Sequence, residues 1–340
     1  MTEKRTALDT NGRIADYLIP VKPNNIIQKF MDDQMKLFWL PTEIKVEKDI
    51  QDVLVNFTES ERHGVITVLK LFTVYEAFAG DEWWGGRFKE IFPVYQYHQM
   101  GSAFSFFENC VHAPFYDKIN TLLHLDNEDF YLSYLDNPTL TDRIRHIDDI
   151  VNDPDPALAL AGFAFVEGVV LYSSFAFLMH FQAEGKNKLL NLNRGIAFSV
   201  RDENMHCLAS AYCYRQLAAQ LSDEKRSEHE RIIREAAAKV LEHETEIVRM
   251  VFEKGPIEGI TQETFIEFIK SRINEVMKLL GFKEIYKIGK NPIADWFYKM
   301  INNYAFGDIF AGALSEYHRD WDETAFVWKS ADELNEEWDV

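Results

Sequence analysis

The chain has 340 residues, 47% of them hydrophobic, enough apolar material for one large domain or two smaller ones. Its 36 basic and 55 acidic residues leave a net charge of −19, which argues against nucleic acid or an anionic membrane surface as partner and favours solubility. Cys110, Cys207 and Cys213 fall in helical patterns without zinc or redox spacing and without a signal peptide ahead of them, so the chain reads as reduced and cytoplasmic.

Residues 1–24 are polar, carry Pro20 and Pro23, and read as an N-terminal arm. A helix follows over 24–40, with apolar Ile26, Ile27, Phe30, Met31, Met35, Phe38 and Trp39 and a stop at Pro41. Residues 45–57 predict a short helix. Thr58-Glu-Ser-Glu61 has the form of a capping box and opens a long helix through Glu76 toward Trp84, with a break or kink predicted at Gly85-Gly86. A further helix spans 94–124, then polar, proline-marked loops and a short helix lead to Pro156. Residues 157–181 are apolar enough to cross a bilayer. Glu167 near the middle makes a buried core helix the better reading, because an intramembrane charge is costly. Helices then cover 188–221, 223–254 after a Ser222 or Asp223 cap, 261–280, and a last one from Asn291-Pro292. Residues 324–340 are acidic, lack a helical apolar stripe and read as a mobile tail. With almost no strand pattern, the expected fold is all-α: an arm over 1–24, a helical domain over 25–310, and a tail over 311–340.

Four segments carry the chemistry. Glu203 and His206 in Arg201-Asp-Glu-Asn-Met-His206 are spaced i, i+3 and share a helix face. Glu108 and His112 repeat the pair at i, i+4 in an apolar stretch. Glu76 and Glu167 stand alone in strongly apolar runs, so each goes into the core with its helix. A lone buried carboxylate costs several kcal/mol or takes up a proton, and metal cations would compensate that cost. Carboxylates salt-bridged at helix edges and satisfied core histidines would explain any one position, but they must explain all six together. One Glu from each of two helices, with Glu/His pairs from two more, is the formula of ferritin-like dimetal carboxylate bundles. Oxygen-rich donors with two imidazoles suit iron or manganese better than zinc.

Taken together, Lys36-Leu-Phe-Trp-Leu-Pro-Thr-Glu43, Glu108-Asn-Cys-Val-His-Ala-Pro-Phe-Tyr116, Val166-Glu-Gly-Val-Val-Leu-Tyr-Ser-Ser-Phe175 and Arg201-Asp-Glu-Asn-Met-His206 are highly specific. Over nearly the whole chain the sequence resembles the radical-generating small (beta) subunit of class I ribonucleotide reductase. The resemblance implies a ferritin-like helical bundle, a homodimer, and a dinuclear centre (Fe/Fe, Mn/Mn or Mn/Fe) held by Glu76, Glu108, His112, Glu167, Glu203 and His206. It implies a radical on a tyrosine one turn beyond the first histidine, the position of Tyr116. It also implies a relay through a tryptophan, an aspartate and a tail tyrosine, matched here by Trp39, Asp202 and Tyr317. Its partners would be the large (alpha) subunit, reached through the C-terminal tail, and a flavoprotein activator.

Three departures from the family pattern stand out. Glu76 replaces the more usual Asp and resembles a subgroup with a manganese/iron cofactor and no radical tyrosine. Glu108 and His112 are four apart where three is usual, a register that a π-bulge would restore. Pro114 falls two residues after His112, removes an N–H and predicts a bend before Tyr116. Two other functions fit the same ligands: a stand-alone dimetal oxidase or monooxygenase, which would need an apolar substrate channel, and a ferritin-type storage protein, which would be shorter and plainer.

Overall fold

The computed structural model describes residues 25–310 and 329–338. Among these residues the regular elements are helices, with one isolated bridge between Ile257 and Ile260. They are α1 (Asn25–Lys36), α2 (Glu59–Ala77), α3 (Phe88–Ile91), α4 (Tyr95–Phe107), α5 (Ala113–Leu122), α6 (Glu128–Leu132), α7 (Pro138–Val151), α8 (Pro156–Phe165), α9 (Tyr172–His180), α10 (Leu190–Ala218), α11 (Asp223–Val251), α12 (Gln262–Leu279), α13 (Pro292–Phe310) and α14 (Ala331–Glu337). The all-α expectation holds.

Four long rods form the centre. Three of them widen from α-helical to i→i+5 (π) bonding at or beside an acidic residue. Phe78–Arg87 follows Glu76 at the end of α2, Glu108–His112 joins α4 to α5, and Val166–Val170 joins α8 toward α9. The fourth rod, α10, is α-helical over 29 residues. It packs along α8, while α4 packs against α1, and α11 and α12 lie together outside. The stretch Pro156–Gly185 is buried inside the protein, as a soluble core helix is.

Local chemistry starts these rods where the sequence indicates. Thr58 and Glu61 bond reciprocally, the Glu61 carboxylate accepting the Thr58 N–H (2.8 Å) and the Thr58 hydroxyl the Glu61 N–H (3.2 Å). Asp155 caps α8 ahead of Pro156, and Ser222 caps α11. The start of α10 is different, because its caps come from far away. Leu189 adopts a left-handed conformation (φ +55°) with its side chain fully buried. Its N–H is accepted by Asp52 (3.0 Å), and Asp49 accepts the Leu192 N–H (2.6 Å) and the Asn191 amide (2.8 Å). These two acids anchor the helix that carries Asp202, Glu203 and His206.

The structure corrects three expectations and shows how Pro114 fits its rod. Gly85-Gly86 does not break its helix. A side chain at Gly85 would meet the Gly80 carbonyl at 2.8 Å and one at Gly86 the Asp81 carbonyl at 2.9 Å, so glycine here lets the widened turn close. Residues 45–57 form two short turns, Val46–Lys48 and Asp52–Asn56, instead of one helix, and Asp49 and Asp52 cap α10. The rod stays helical through Pro114 to Tyr116. The π turn closes with the Ala113 N–H on the Glu108 carbonyl, which places Pro114 in the first turn of α5, where a missing N–H is harmless. The end of the chain carries a short apolar stripe: Ala331, Leu334 and Trp338 are buried against the body. Trp338 meets Tyr212 edge-on (centroids 5.6 Å) and lies under the Arg215 guanidinium, while Asp332 pairs with Lys278 of α12 (3.3 Å). Seven residues are too few for the periodicity to register beside the surrounding acids.

Removing the Asp49 cap should weaken the start of α10 specifically. We expect Asp49→Ala to lower unfolding stability by about 0.5–2 kcal/mol, as a lost N-cap does, read as a lower urea midpoint at unchanged slope.

Candidate metal centre

The six acidic and histidine positions from the sequence converge at the centre of the four rods. They form two overlapping groups, Glu76–Glu108–His112–Glu203 and Glu108–Glu167–Glu203–His206, with ligand atoms in each within 4.8 Å of one another. Glu108 and Glu203 belong to both. All six side chains are at most 1% exposed. The π turn between Glu108 and His112 carries one extra residue and still points both side chains inward, which accounts for the unusual spacing.

The hydrogen bonds around the site point away from its centre. Asp202 Oδ2 lies 3.0 Å from His112 Nε2, and Gln34 Oε1 lies 3.1 Å from His206 Nε2. An ionised carboxylate only accepts, so His112 carries its proton on Nε2. Gln34 donates its amide to Asp202 Oδ1 (2.9 Å), which turns its carbonyl toward His206 and fixes the proton there on Nε2 as well. Each Nδ1 then faces the carboxylates, the arrangement in which an outer partner orients a histidine toward a metal. Trp84 donates to Glu167 Oε1 (2.9 Å) and fixes that carboxylate. Trp39 donates its indole N–H to Asp202 Oδ2 (2.9 Å), so one carboxylate joins the indole to the His112 imidazole.

Inside the site His112 Nδ1 lies 3.0 Å from Glu108 Oε2, and most of the other inner atoms lack such partners. Both oxygens of Glu76, both of Glu203, Oε1 of Glu108 and Nδ1 of His206 are buried without a hydrogen bond. His206 Nδ1 comes within 2.6 Å of Glu108 Oε1 yet lacks hydrogen-bond alignment. Polar atoms that crowd together without bonding one another fit ligands aimed at a common cation. The donor set, four carboxylates with two imidazoles, also balances two divalent ions and suits iron or manganese.

Protons supply the compensation when cations do not. Burial, with Glu108 and Glu203 nearby, pushes the Glu76 carboxyl well above its ordinary range. Burial and the same two neighbours do so for Glu167. Burial disfavours a charged imidazole at His206, but the Glu108 carboxylate outweighs it and raises the pKa to about 9. His112 moves up likewise: burial opposes, and Glu108 and Glu203 prevail. Burial also opposes charge on Glu108, yet the two imidazoles hold its carboxyl well below the usual range.

Tyr116 is fully buried one turn beyond His112. Its ring stacks on Phe72 (centroids 4.3 Å) and touches Phe115 (5.1 Å), and Phe175 stacks on the far side of Phe72 (5.2 Å). Its hydroxyl donates to Ser199 Oγ at 3.3 Å. Burial, helped by the Glu76 charge, raises the phenol pKa well above its ordinary value and keeps the proton on. Tyr317 lies outside the described residues.

Sequence reasoning missed Gln34, Trp84 and Ser199. Gln34 had a readable signal: with Ile27 and Phe30 it falls at helical spacing on the buried stripe of α1, a polar residue where an apolar one is expected. Trp84 and Ser199 carry no such signal.

Residues 18–292 match the family described as ribonucleotide reductase, small chain. The chain belongs to that family. It is the small subunit of a class I ribonucleotide reductase, an oxidoreductase. Relatives include the ribonucleoside-diphosphate reductase subunit beta of Chlamydia pneumoniae, 23% identical over 92% of this chain and 93% of that protein. Another is a probable small subunit of Invertebrate iridescent virus 3, 22% identical over 82% and 78%. Among solved structures, the dimanganese(II) NrdF of Streptococcus sanguinis superposes with a TM-score of 0.73 at 20% identity, covering 81% of this chain and 96% of that one. A putative class I ribonucleotide reductase from Bacillus halodurans gives 0.72 at 21% identity, over 82% and 99%. The fold of this small subunit is therefore the ferritin-like helical bundle that its ligand pattern suggested.

The overlap of the two ligand groups sets the expected metal counts. Alanine at Glu203, which both groups share, should abolish stable binding of the pair. Alanine at Glu76 or Glu167 should leave one ion, counted by equilibrium dialysis against manganese(II) and elemental analysis. Two tightly held ions in Glu203→Ala would sink the ligand assignment. Because Glu76, Glu167, His112 and His206 all titrate above their ordinary values, cations must displace protons from them. Metal affinity should therefore rise with pH through the neutral range, with proton release measurable in weak buffer.

Proposed function

We propose that Glu76, Glu108, His112, Glu167, Glu203 and His206 hold a dinuclear iron or manganese centre that serves radical generation for a large catalytic subunit. The observation that carries this reading is the line Trp39–Asp202–His112, an indole joined through one buried carboxylate to a ligand imidazole. A stand-alone oxidase would have no use for it. When bound, the metal pair would supply a strong one-electron oxidant produced from an oxygen species.

The chain's own residues do the rest. Phe72 and Phe115 pack on the Tyr116 ring, with Phe175 stacked behind Phe72, in a dry aromatic shell that protects a stored radical. Ser199 Oγ accepts the phenolic hydrogen bond and fixes the direction of the O–H. Asp202 holds the Trp39 N–H and stabilises positive charge on the indole when an electron leaves it. The indole also lies against the His112 ring, with centroids 5.9 Å apart. Tyr317, in the chain between the body and its last helix, would continue the relay to the large subunit.

We further propose that residues 1–24 form an arm, 25–310 the bundle, and 311–340 the segment that docks the large subunit of a cytoplasmic complex built on a homodimer, with a flavoprotein as activator. The acidic residues around Leu334 and Trp338 give that segment charge and two apolar anchors. Both anchors pack on the chain's own body, so docking them on a partner requires α14 to let go.

Two variants test these roles. Tyr116→Phe should load metals normally, show no tyrosyl signal by electron paramagnetic resonance, and lose nucleotide reduction with the large subunit. Retained turnover would place the oxidising equivalent on the metals and leave Tyr116 a packing residue. Truncation after Ser330 should keep metal binding and remove complex formation with the large subunit, measured by analytical ultracentrifugation. Unchanged association would rule out residues 331–340 as the docking segment.

A further inference from the structure

The π turn that carries Glu167 stops abruptly. Leu171 (φ −94°, ψ −15°) separates Val166–Val170 from α9. Where helical bonding stops, carbonyls lose their N–H partners, and buried ones must find others. Two guanidinium groups supply them from opposite sides. Arg272 of α12 donates its Nε–H to the Gly168 carbonyl at 2.9 Å. Arg143 of α7 donates from Nη2 to the Val170 carbonyl at 2.6 Å.

Both arginines are only 1% exposed, a costly place for a cation. Each is held by further contacts. Arg143 pairs with buried Glu244 (2.5 Å), which also accepts the Ser173 hydroxyl (2.6 Å), and lies over the Tyr75 ring at 4.5 Å. Arg272 lies over the Tyr172 ring at 4.0 Å and donates to the Tyr298 hydroxyl at 3.1 Å. Gly168 leaves the turn no slack, because a Cβ there would meet Cys207 Sγ and Val276 Cγ2 at 2.6 Å. Glu167 is the residue next to Gly168, and its carboxylate is tied at the other end by Trp84.

We propose that Arg272 and Arg143 are positioning residues for the metal centre: they clamp the π turn by its carbonyls and so hold Glu167 on the Glu108–Glu167–Glu203–His206 group. This rests on the reading that the six residues bind two metals. A π turn held only by its own bonds is free to relax to an α turn, which would rotate Glu167 off the common centre. Arg272 touches no metal ligand in this account and acts through backbone alone. Its loss is therefore expected at one metal position and not at the other.

The full chain titrated with manganese(II) tests this, with stepwise affinities from equilibrium dialysis and the electron paramagnetic resonance spectrum as a second readout. Wild type should take two ions and show a coupled dinuclear spectrum. Arg272→Met should weaken one ion by about tenfold or more, the loss typical of a partner that orients a ligand. The other affinity should hold, and a mononuclear six-line spectrum should appear at low loading. Glu167→Ala should give the same pattern and fixes which position is affected. A folded Arg272→Met with both affinities unchanged overturns the proposal. Equal weakening of both ions overturns it too, since that marks general loss of packing. If Arg272→Met does not fold, Arg272→Lys, which keeps the charge but not the planar fork, is read by the same criteria. Two tightly bound ions in Glu167→Ala would instead remove the metal reading on which the clamp depends.

Discussion

Four carboxylates meeting in a dry helical core is the constraint on which the rest of this structure depends. Like charges a few ångströms apart repel strongly where water cannot screen them, and each also loses its hydration. Among the described residues the ion-pair partners of Glu76, Glu108, Glu167 and Glu203 are the two imidazoles, His112 and His206. Two positive imidazoles cannot balance four carboxylates, so Glu76 and Glu167 keep protons instead. Cations resolve the conflict more completely. The fold spends its hydrogen bonds accordingly: Asp202, Gln34 and Trp84 take the outward-facing atoms and leave most inward-facing atoms without a hydrogen bond.

The same constraint explains the bent geometry of the rods. A straight α-helix offers neighbouring positions only at i+3 and i+4. Widening at Glu108–His112 and Val166–Val170 adds the rotation that brings side chains from four directions onto one centre. Such turns bond poorly and strand backbone carbonyls. Glycines at 85, 86 and 168 give the room, and buried arginines from α7 and α12 take up carbonyls after Glu167. The outer helices are thus coupled to the chemistry at the centre through the backbone they hold.

The radical reading draws on the same economy. Tyr116 sits among phenyl rings with a neutral hydroxyl, Ser199, as its hydrogen-bond partner, while Trp39 faces a carboxylate. The first environment suits holding a radical in place. The second suits passing charge along, because an ionised partner favours the cationic indole.

The sequence by itself determined the helical class, most rod boundaries and all six candidate ligands. Acids isolated in long apolar runs have few places to go but inward, and helical periodicity is local information. It also matched Trp39 and Asp202 to a relay. Four features were settled only by the tertiary structure. Gly85-Gly86 reads locally as a break or kink and Pro114 as a bend, but Gly85-Gly86 lies inside a widened turn and Pro114 just after one, where neither ends its helix. Asp49 and Asp52 read as surface acids in a short helix, yet they cap a helix some 140 residues later, a pairing no local pattern encodes. Nothing local marks Arg143 and Arg272 for burial, and only the fold supplies Glu244, the Tyr75 and Tyr172 rings and the Val170 and Gly168 carbonyls that receive them. Periodicity tells which side of a helix goes inward. What each buried polar atom meets there depends on chain that is remote in sequence, and only the folded structure brings it near.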